Sequence, residues 1–299
     1  MSIVEKLEKL KKERNAIILA HNYQRPEVQD IADFVGDSLA LAMKARETDA
    51  EVIVFCGVDF MAESAKIVNP EKVVLFPDEG AKCPMAAMVD ASSLAHLKEK
   101  YGYDVVSYIN TSAEVKAASD VCCTSANAVK VVQSMPDGVI FTPDENLGSY
   151  VKRFVSDKEI ILWPGFCPTH MGITVDDILE LKRAHPAAEV LAHPECSPAV
   201  IDCADKVAST EGMVNYAKSS SSYEFIIATE RELCYRLKKE MPEKEFYPLD
   251  VAICPTMKKI TRAKVVRSME FMKPEVRLSE DIIRRAAAPL QRMIEIGRE

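Results

Sequence analysis

LEKLKKERNAIILAHN (7–22), HLKEKYGYDVVSYINT (96–111) and LELKRAHPAAEVLAHP (179–194) are one text written three times. Each reads as a helix ending in basic residues, then a short apolar strand, then a polar tip. The tips His21, Asn110 and His193 stand 89 and 83 residues apart. A second strand is expected in each unit, at EVIVFCGVD (51–59), SDVCCTSAN (119–127) and DKVASTEGM (205–213). A third follows at KVVLFPDEG (72–80), GVIFTPDEN (138–146) and EFIIATERE (224–232). From first tip to second is 15 residues in unit two (Asn110 to Ser125) and 17 in unit three (His193 to Thr210). In unit one the step from His21 to Gly57 is 36. The excess predicts an added helix over VQDIADFVGDSLALAMKARE, with Ile31, Val35, Leu39 and Ala42 along one face.

Strands alternating with helices imply βαβ units and parallel sheets. The predicted class is therefore α/β: three pseudo-threefold-related α/β/α domains of three layers each, with parallel sheets around a central active site. A single eight-stranded barrel fits the long insertion and the strand count less well. The expected domains are 1–86, 87–171 and 172–274, with a C-terminal helix at about 275–299 packing back on the first repeat. Ligands of open parallel sheets bind beyond the carboxyl ends of the strands, so the polar tips should converge on one site.

The chain has 299 residues, of which 28% are charged and 48% hydrophobic, ordinary proportions for a globular protein. No apolar run approaches the roughly 20 residues of a membrane span, so no membrane partner is expected. Thirty-eight basic against 46 acidic residues give a net charge of −8, which disfavours nucleic acid as a partner. An anionic ligand would need local donors to hold it against that field. MSIVEKLEKLKKERN lacks the apolar core of a signal peptide, and a cytoplasmic location is expected. Nine cysteines cannot all pair within one chain; in a reducing compartment metal binding or redox chemistry is expected of some.

Three cysteines are followed by proline: Cys83, Cys167 and Cys254, 84 and 87 residues apart and one per repeat. Around a pseudo-threefold axis their thiolates would face a common point, and only a cation would make that stable. Zinc with a fourth ligand is one candidate. A 4Fe–4S cluster with three protein ligands and one open iron is the other. Burial as small hydrophobes is the plainer reading, and the common register argues against it. Cys122 and Cys123 fall in an apolar strand and Cys56 and Cys234 in apolar runs, all read as core. Cys203 has no functional signal, and Cys196 lies close to the expected site. Cys167-Pro-Thr-His170 has a ligand-like spacing that is common by chance. There is no Walker loop, G-x-G-x-x-G or C-x-x-x-C-x-x-C, hence no basis for nucleotide hydrolysis, dinucleotide binding or radical chemistry.

AHNYQ (20–24), GDSLALA (36–42), CPMA (83–86), YIN (108–110), TSANA (124–128), CPTH (167–170), HPEC (193–196), STEGM (209–213) and ICPTMKK (253–259) run along nearly the whole chain. Together they resemble the quinolinate synthase family. The resemblance implies a triangular trio of α/β/α domains. It implies condensation of iminoaspartate with dihydroxyacetone phosphate to quinolinate, with loss of phosphate and water, in de novo NAD synthesis. It implies one 4Fe–4S cluster per chain on Cys83, Cys167 and Cys254, and functional coupling to an aspartate oxidase or dehydrogenase. Ser38, Ser125 and Thr210 are carried over as substrate binders, and the Tyr108-Ile109-Asn110 segment as a substrate contact. Thr124, Ser125, Ser209 and Thr210 stand where strands turn into helices, whose N-termini favour anions; as N-caps they would need no ligand.

His21 and His193 could hydrogen-bond a carboxylate or move protons near neutral pH. Glu195, beside His193 and Pro194, is the leading general acid/base candidate, assisted by Tyr23. The expected catalytic set is Glu195, His21, Tyr23 and His193. The substrate set is His21, Ser38, Tyr108, Ile109, Asn110, Thr124, Ser125, His193, Pro194, Glu195, Ser209 and Thr210. Lys66, Lys82 and Arg262 could neutralise phosphate. Two rivals stand beside this reading: a zinc enzyme acting on a phosphorylated sugar, and a non-catalytic iron–sulfur sensor.

Overall fold

A computed structural model describes residues 3–297. Twelve strands are β1 (Ala16–His21), β2 (Phe34–Gly36), β3 (Val52–Cys56), β4 (Val73–Leu75), β5 (Asp104–Tyr108), β6 (Val121–Cys123), β7 (Val139–Thr142), β8 (Ile160–Leu162), β9 (Glu189–Ala192), β10 (Lys206–Val207), β11 (Glu224–Ala228) and β12 (Glu245–Pro248). They form three four-stranded sheets ordered β2-β1-β3-β4, β6-β5-β7-β8 and β10-β9-β11-β12. Every pairing within them is parallel. Helices join the strands, so both faces of each sheet are covered. All five residues of β3 and all four of β7 are buried, as a sheet covered on both faces requires. The class and the three-sheet architecture are those expected from the repeat.

The repeat itself is more regular than its text. Asp33, Asp120 and Asp205 each accept, through Oδ2 at 2.8 Å, the amide of the residue 15 positions earlier: Ile18, Val105 and Val190. Their own amides donate back to the same residues' carbonyls at 2.9, 3.0 and 2.9 Å. These anchors are 87 and 85 residues apart, which makes His21, Tyr108 and His193 the equivalent strand ends. Asn110 is therefore not the second tip; it corresponds to Tyr23 and Glu195.

The second tips become Ser38, Ser125 and Thr210, each 17 residues beyond its strand end. The added helix of unit one does not exist. VQDIADFVGDSLALAMKARE holds the end of a short helix (Pro26–Gln29), then β2, then the helix Ser38–Glu47. Asp37 starts that last helix by accepting the Ala40 amide at 2.8 Å, and Phe34–Gly36 lies extended against β1. As a result VIVFC is the third strand of its unit rather than the second, and KVVL supplies the edge strand β4.

The C-terminal helix Glu280–Ile296 packs on the helix Ala113–Ala117 and β6 of the second unit, and on the helix Asp59–Val68 of the first. It buries Ala286, Pro289, Leu290, Met293 and Ile294, and Asn127 Nδ2 donates to the Met293 carbonyl at 3.1 Å. Residues 298 and 299 of the helix expected there lie outside the described residues.

Candidate active site

The carboxyl ends of all three sheets meet at one cavity of about 640 Å³. Each unit contributes the same four positions to the wall, and a fifth stands beside them. The strand ends supply His21, Tyr108 and His193, and two residues on stand Tyr23, Asn110 and Glu195. The second tips supply Ser38, Ser125 and Thr210, and the Cys-Pro loops supply Cys83, Cys167 and Cys254. The fifth position, at the third strand's tip, is Asp59, Asp144 or Glu230, of which Glu230 lines the wall.

Thr124 also lines the cavity, but Ile109, Pro194 and Ser209 do not. Ile109 sits between its two exposed-to-site neighbours and turns into the core. Ser209 caps the helix Thr210–Ser219 by accepting the Gly212 amide at 3.2 Å. Pro194 lines a neighbouring cleft with Ser209.

Lys66, Lys82 and Arg262 lie elsewhere, and Lys66 is spent on the Lys72 carbonyl. Among the described residues lining the cavity there is no lysine or arginine. Cations stand one step behind it. Lys258 pairs with Glu230 at 2.7 Å and donates to the Tyr23 carbonyl at 2.7 Å. Arg236 donates to Asn22 Oδ1 at 2.8 Å, and Asn22 Nδ2 donates to Thr210 Oγ1 at 2.7 Å. Thr210, accepting that bond, itself lines the cavity.

Glu195 is buried and collects donors. His170 Nδ1 lies 2.7 Å from its Oε2, Asn110 Nδ2 donates to Oε1 at 3.3 Å, and Tyr108 hydrogen-bonds it as well. Burial pushes this carboxyl up, but the adjacent His170 and the hydrogen bonds from His170 and Tyr108 hold it below its ordinary range. With Glu195 ionised, Nδ1 of His170 carries the proton. Nε2 of His170 lies in hydrogen-bond contact with Thr229 Oγ1 at 2.8 Å, and Thr229 Oγ1 with the Tyr23 hydroxyl at 2.5 Å. Tyr23, Thr229, His170 and Glu195 thus form one hydrogen-bonded chain through the wall. Burial pushes the Tyr23 phenol well up, so it enters the chain as a donor.

His21 and His193 share a second arrangement. Nδ1 of each accepts the amide two residues on, from Tyr23 at 3.2 Å and Glu195 at 3.4 Å. That leaves Nε2–H as the donor, which in His193 reaches Ser125 Oγ at 3.1 Å. Burial lowers His21 to about 4 and His193 to about 3, so both are neutral near pH 7. Asn110 Oδ1 is buried without a hydrogen-bond partner, an open acceptor on the cavity wall.

His170 and Thr229 were not in the sequence-derived set. The Cys167-Pro-Thr-His170 spacing was the one signal for His170. Thr229 had none, because its role depends on two neighbours 206 and 59 residues away.

The donor set also bears on a metal. Burial pushes the Cys83 thiol up to about 12 and that of Cys167 well up, and neighbouring cysteine sulfur adds to both. With Cys254 on the same wall, thiols so placed become thiolates together only if a cation meets them, which is what a sulfur-ligated metal group provides. Separately, Cys167 Sγ, His170 and Glu195 place ligand atoms within 4.8 Å of one another, a set that could hold a metal ion.

The family model described as Quinolinate synthetase A protein matches residues 5–295. The quinolinate synthase of Thermodesulfovibrio yellowstonii is 53% identical over 296 residues, covering 98% of each chain. That of Geobacter sp. M21 is 54% identical over 293 residues, 97% of this chain and 96% of the relative. Quinolinate synthase 1 of Methanosarcina acetivorans is 52% identical over 297 residues, 98% of this chain and 97% of the relative. Identity above one half, sustained from end to end of both partners, carries the polar rings and the cysteine loops together: the chain belongs to the quinolinate synthase family.

Proposed function

We propose that this enzyme condenses iminoaspartate with dihydroxyacetone phosphate to quinolinate, releasing phosphate and water, as a step of NAD synthesis. The observation that supports the reading best is the meeting, on one cavity, of three in-register cysteines with a hydrogen-bonded chain ending on Glu195. Cys83, Cys167 and Cys254 would hold one 4Fe–4S cluster, whose open iron would supply Lewis acidity when bound.

The remaining work falls to the chain's own groups. Glu195 takes and returns protons during enolisation, imine formation, ring closure and loss of water, and Tyr23–Thr229–His170 supplies or drains them. Nε2–H of His21 and His193 and the hydroxyls of Ser38, Ser125 and Thr210 bind carboxylate and phosphate oxygens. Two of those hydroxyls, Ser38 and Thr210, open ten-residue helices whose dipoles favour anions. Asn110 Oδ1 accepts the N–H of the nitrogen substrate, which its lack of a partner in the protein leaves it free to do. We place the enzyme in the cytoplasm, fed by an aspartate oxidase or dehydrogenase because iminoaspartate is short-lived.

The test is metal content in anaerobically purified protein. C83S, C167S and C254S should each lose the brown colour, the acid-labile sulfide and the turnover, while C122S and C234S keep all three. A C234S protein without iron beside a C167S protein with a full cluster would overturn the ligand assignment. Zinc in place of iron in the native protein would favour the sugar-phosphate rival.

A further inference from the structure

The cysteine loops share an anchor that ligand assignment does not require. Asp59 Oδ1 accepts the Cys83 amide at 3.0 Å, Asp144 Oδ2 that of Cys167 at 3.2 Å, and Glu230 Oε1 that of Cys254 at 3.2 Å. The separations are 24, 23 and 24 residues. A second bond accompanies each. The amides of Asp59, Glu145 and Arg231 donate to the carbonyls of Ala81, Gly165 and Ala252 at 3.0, 2.8 and 2.9 Å. Those carbonyls all stand two residues before the cysteine. Every loop is therefore pinned to the tip of its third strand by one backbone bond and one carboxylate.

A plainer reading is helix capping, since Asp59, Asp144 and Glu230 also accept the amides of Phe60, Leu147 and Glu232 at 3.0, 2.7 and 3.0 Å. Capping alone is served by serine, threonine or asparagine, with no charge. Here all three units carry a carboxylate, and two of them, Asp144 and Glu230, are fully buried. Burial pushes Asp144 well above the ordinary carboxylate range and Glu230 above it, so the buried pair carries less charge than two free carboxylates. Among the described residues, only Glu230 of the three has a cation in contact, Lys258 at 2.7 Å.

The carboxylates also take up the cysteine amides, which would otherwise be available to sulfur. Added negative charge and fewer N–H···S bonds both lower the potential of an iron–sulfur group. A Lewis acid is best kept in one oxidation state, and a low potential does that.

We propose that Asp59, Asp144 and Glu230 are a ring of positioning residues that orient Cys83, Cys167 and Cys254 and hold down the reduction potential of the metal group they bind. The proposal rests on the ligand assignment above, and the test separates the two. Asp59 is the informative site, because its Oδ1 alone serves both amides and an asparagine oxygen can replace it.

The anaerobically purified full chain is compared as wild type, D59N, D59A, D144N, E230Q and C83S. Iron release to a chelator and the midpoint potential, from a redox titration followed by electron paramagnetic resonance, are measured. D59A should lose iron about 10- to 100-fold faster than wild type, the usual cost of removing a ligand's supporting partner. D59N should keep iron near the wild-type rate with a midpoint moved to more positive potential, a shift capping alone cannot produce. D144N should move it less than D59N, because burial already favours the uncharged form of Asp144, and E230Q less as well, because Lys258 already neutralises Glu230. Should D59A fail to fold, the D59N midpoint decides. An unchanged D59N midpoint overturns the proposal, as does wild-type iron retention in D59A while C83S loses its iron. Full iron in C83S would sink the ligand assignment, and the ring with it.

Discussion

At the scale of single residues, the chemistry of the site is set by burial and by who donates to whom. Glu195→Gln keeps the size of Glu195 and one of its two acceptor oxygens but removes its proton exchange. Turnover should fall by about 10²–10⁴-fold, with iron content unchanged. Near-normal turnover would move the acid/base role to His21, His193 or Tyr23. Thr229→Val cuts the chain between Tyr23 and His170 and leaves a buried ring nitrogen unpaired. Its expected cost is about 1–3 kcal/mol in unfolding free energy together with slower turnover. Turnover that survives intact would exclude the relay.

The buried imidazoles also predict a pH dependence. His21 and His193 titrate near 4 and 3 when folded and near 6.5 when unfolded, so below pH 6.5 the unfolded chain binds more protons. Their stability contribution is complete above pH 6.5 and is lost as pH falls toward 4. The slope is about 1.4 kcal/mol per pH unit for each histidine. Urea denaturation of iron-free protein between pH 7 and 5 should show it, and His21→Gln should flatten it by one histidine's share. An equally steep curve in that variant would contradict the assignment of His21 as buried and neutral.

At the scale of elements, the Cys-Pro loops have no slack. A Cβ on Gly165 would lie 2.4 Å from the Pro143 carbonyl oxygen, a backbone atom that cannot swing aside. Gly165→Ala should therefore cost about 1–3 kcal/mol and displace the Cys167 loop. Reduced iron content at unchanged secondary structure is the outcome to look for, and a fully loaded, equally stable variant would contradict it. The anchors at Asp33, Asp120 and Asp205 set the register of each unit in the same way. None of the three was legible as an anchor in the sequence, because the strands they introduce are two or three residues long. A strand that short shows no periodicity, and in unit one β2 hides inside a run whose apolar spacing imitates a helix.

At the scale of the whole molecule, the site exists only because three units hold their strand ends toward one axis. The C-terminal helix secures two of them, bridging the helices Asp59–Val68 and Ala113–Ala117. Leu290 is fully buried in that seam, and Leu290→Ala should cost about 2–5 kcal/mol. Urea denaturation checks the figure. A loss below 1 kcal/mol would mean that the seam does not hold the two units together.

By itself the sequence determined the class, the threefold repeat, the three cysteine ligand candidates and most of the polar tips. Those features are local or recur at a fixed period, so a single chain displays them. Tertiary structure alone decided the pairing of equivalent tips, the absence of an added helix in unit one, and the membership of His170, Thr229 and Glu230 in the site. Their roles come from contacts with partners far away in sequence, Tyr23 with Thr229 and His170 with Glu195, formed only when three sheets meet. The burial that keeps two histidines neutral, and the donors that keep Glu195 ionised against its own burial, are likewise properties of the assembled cavity and of no one segment.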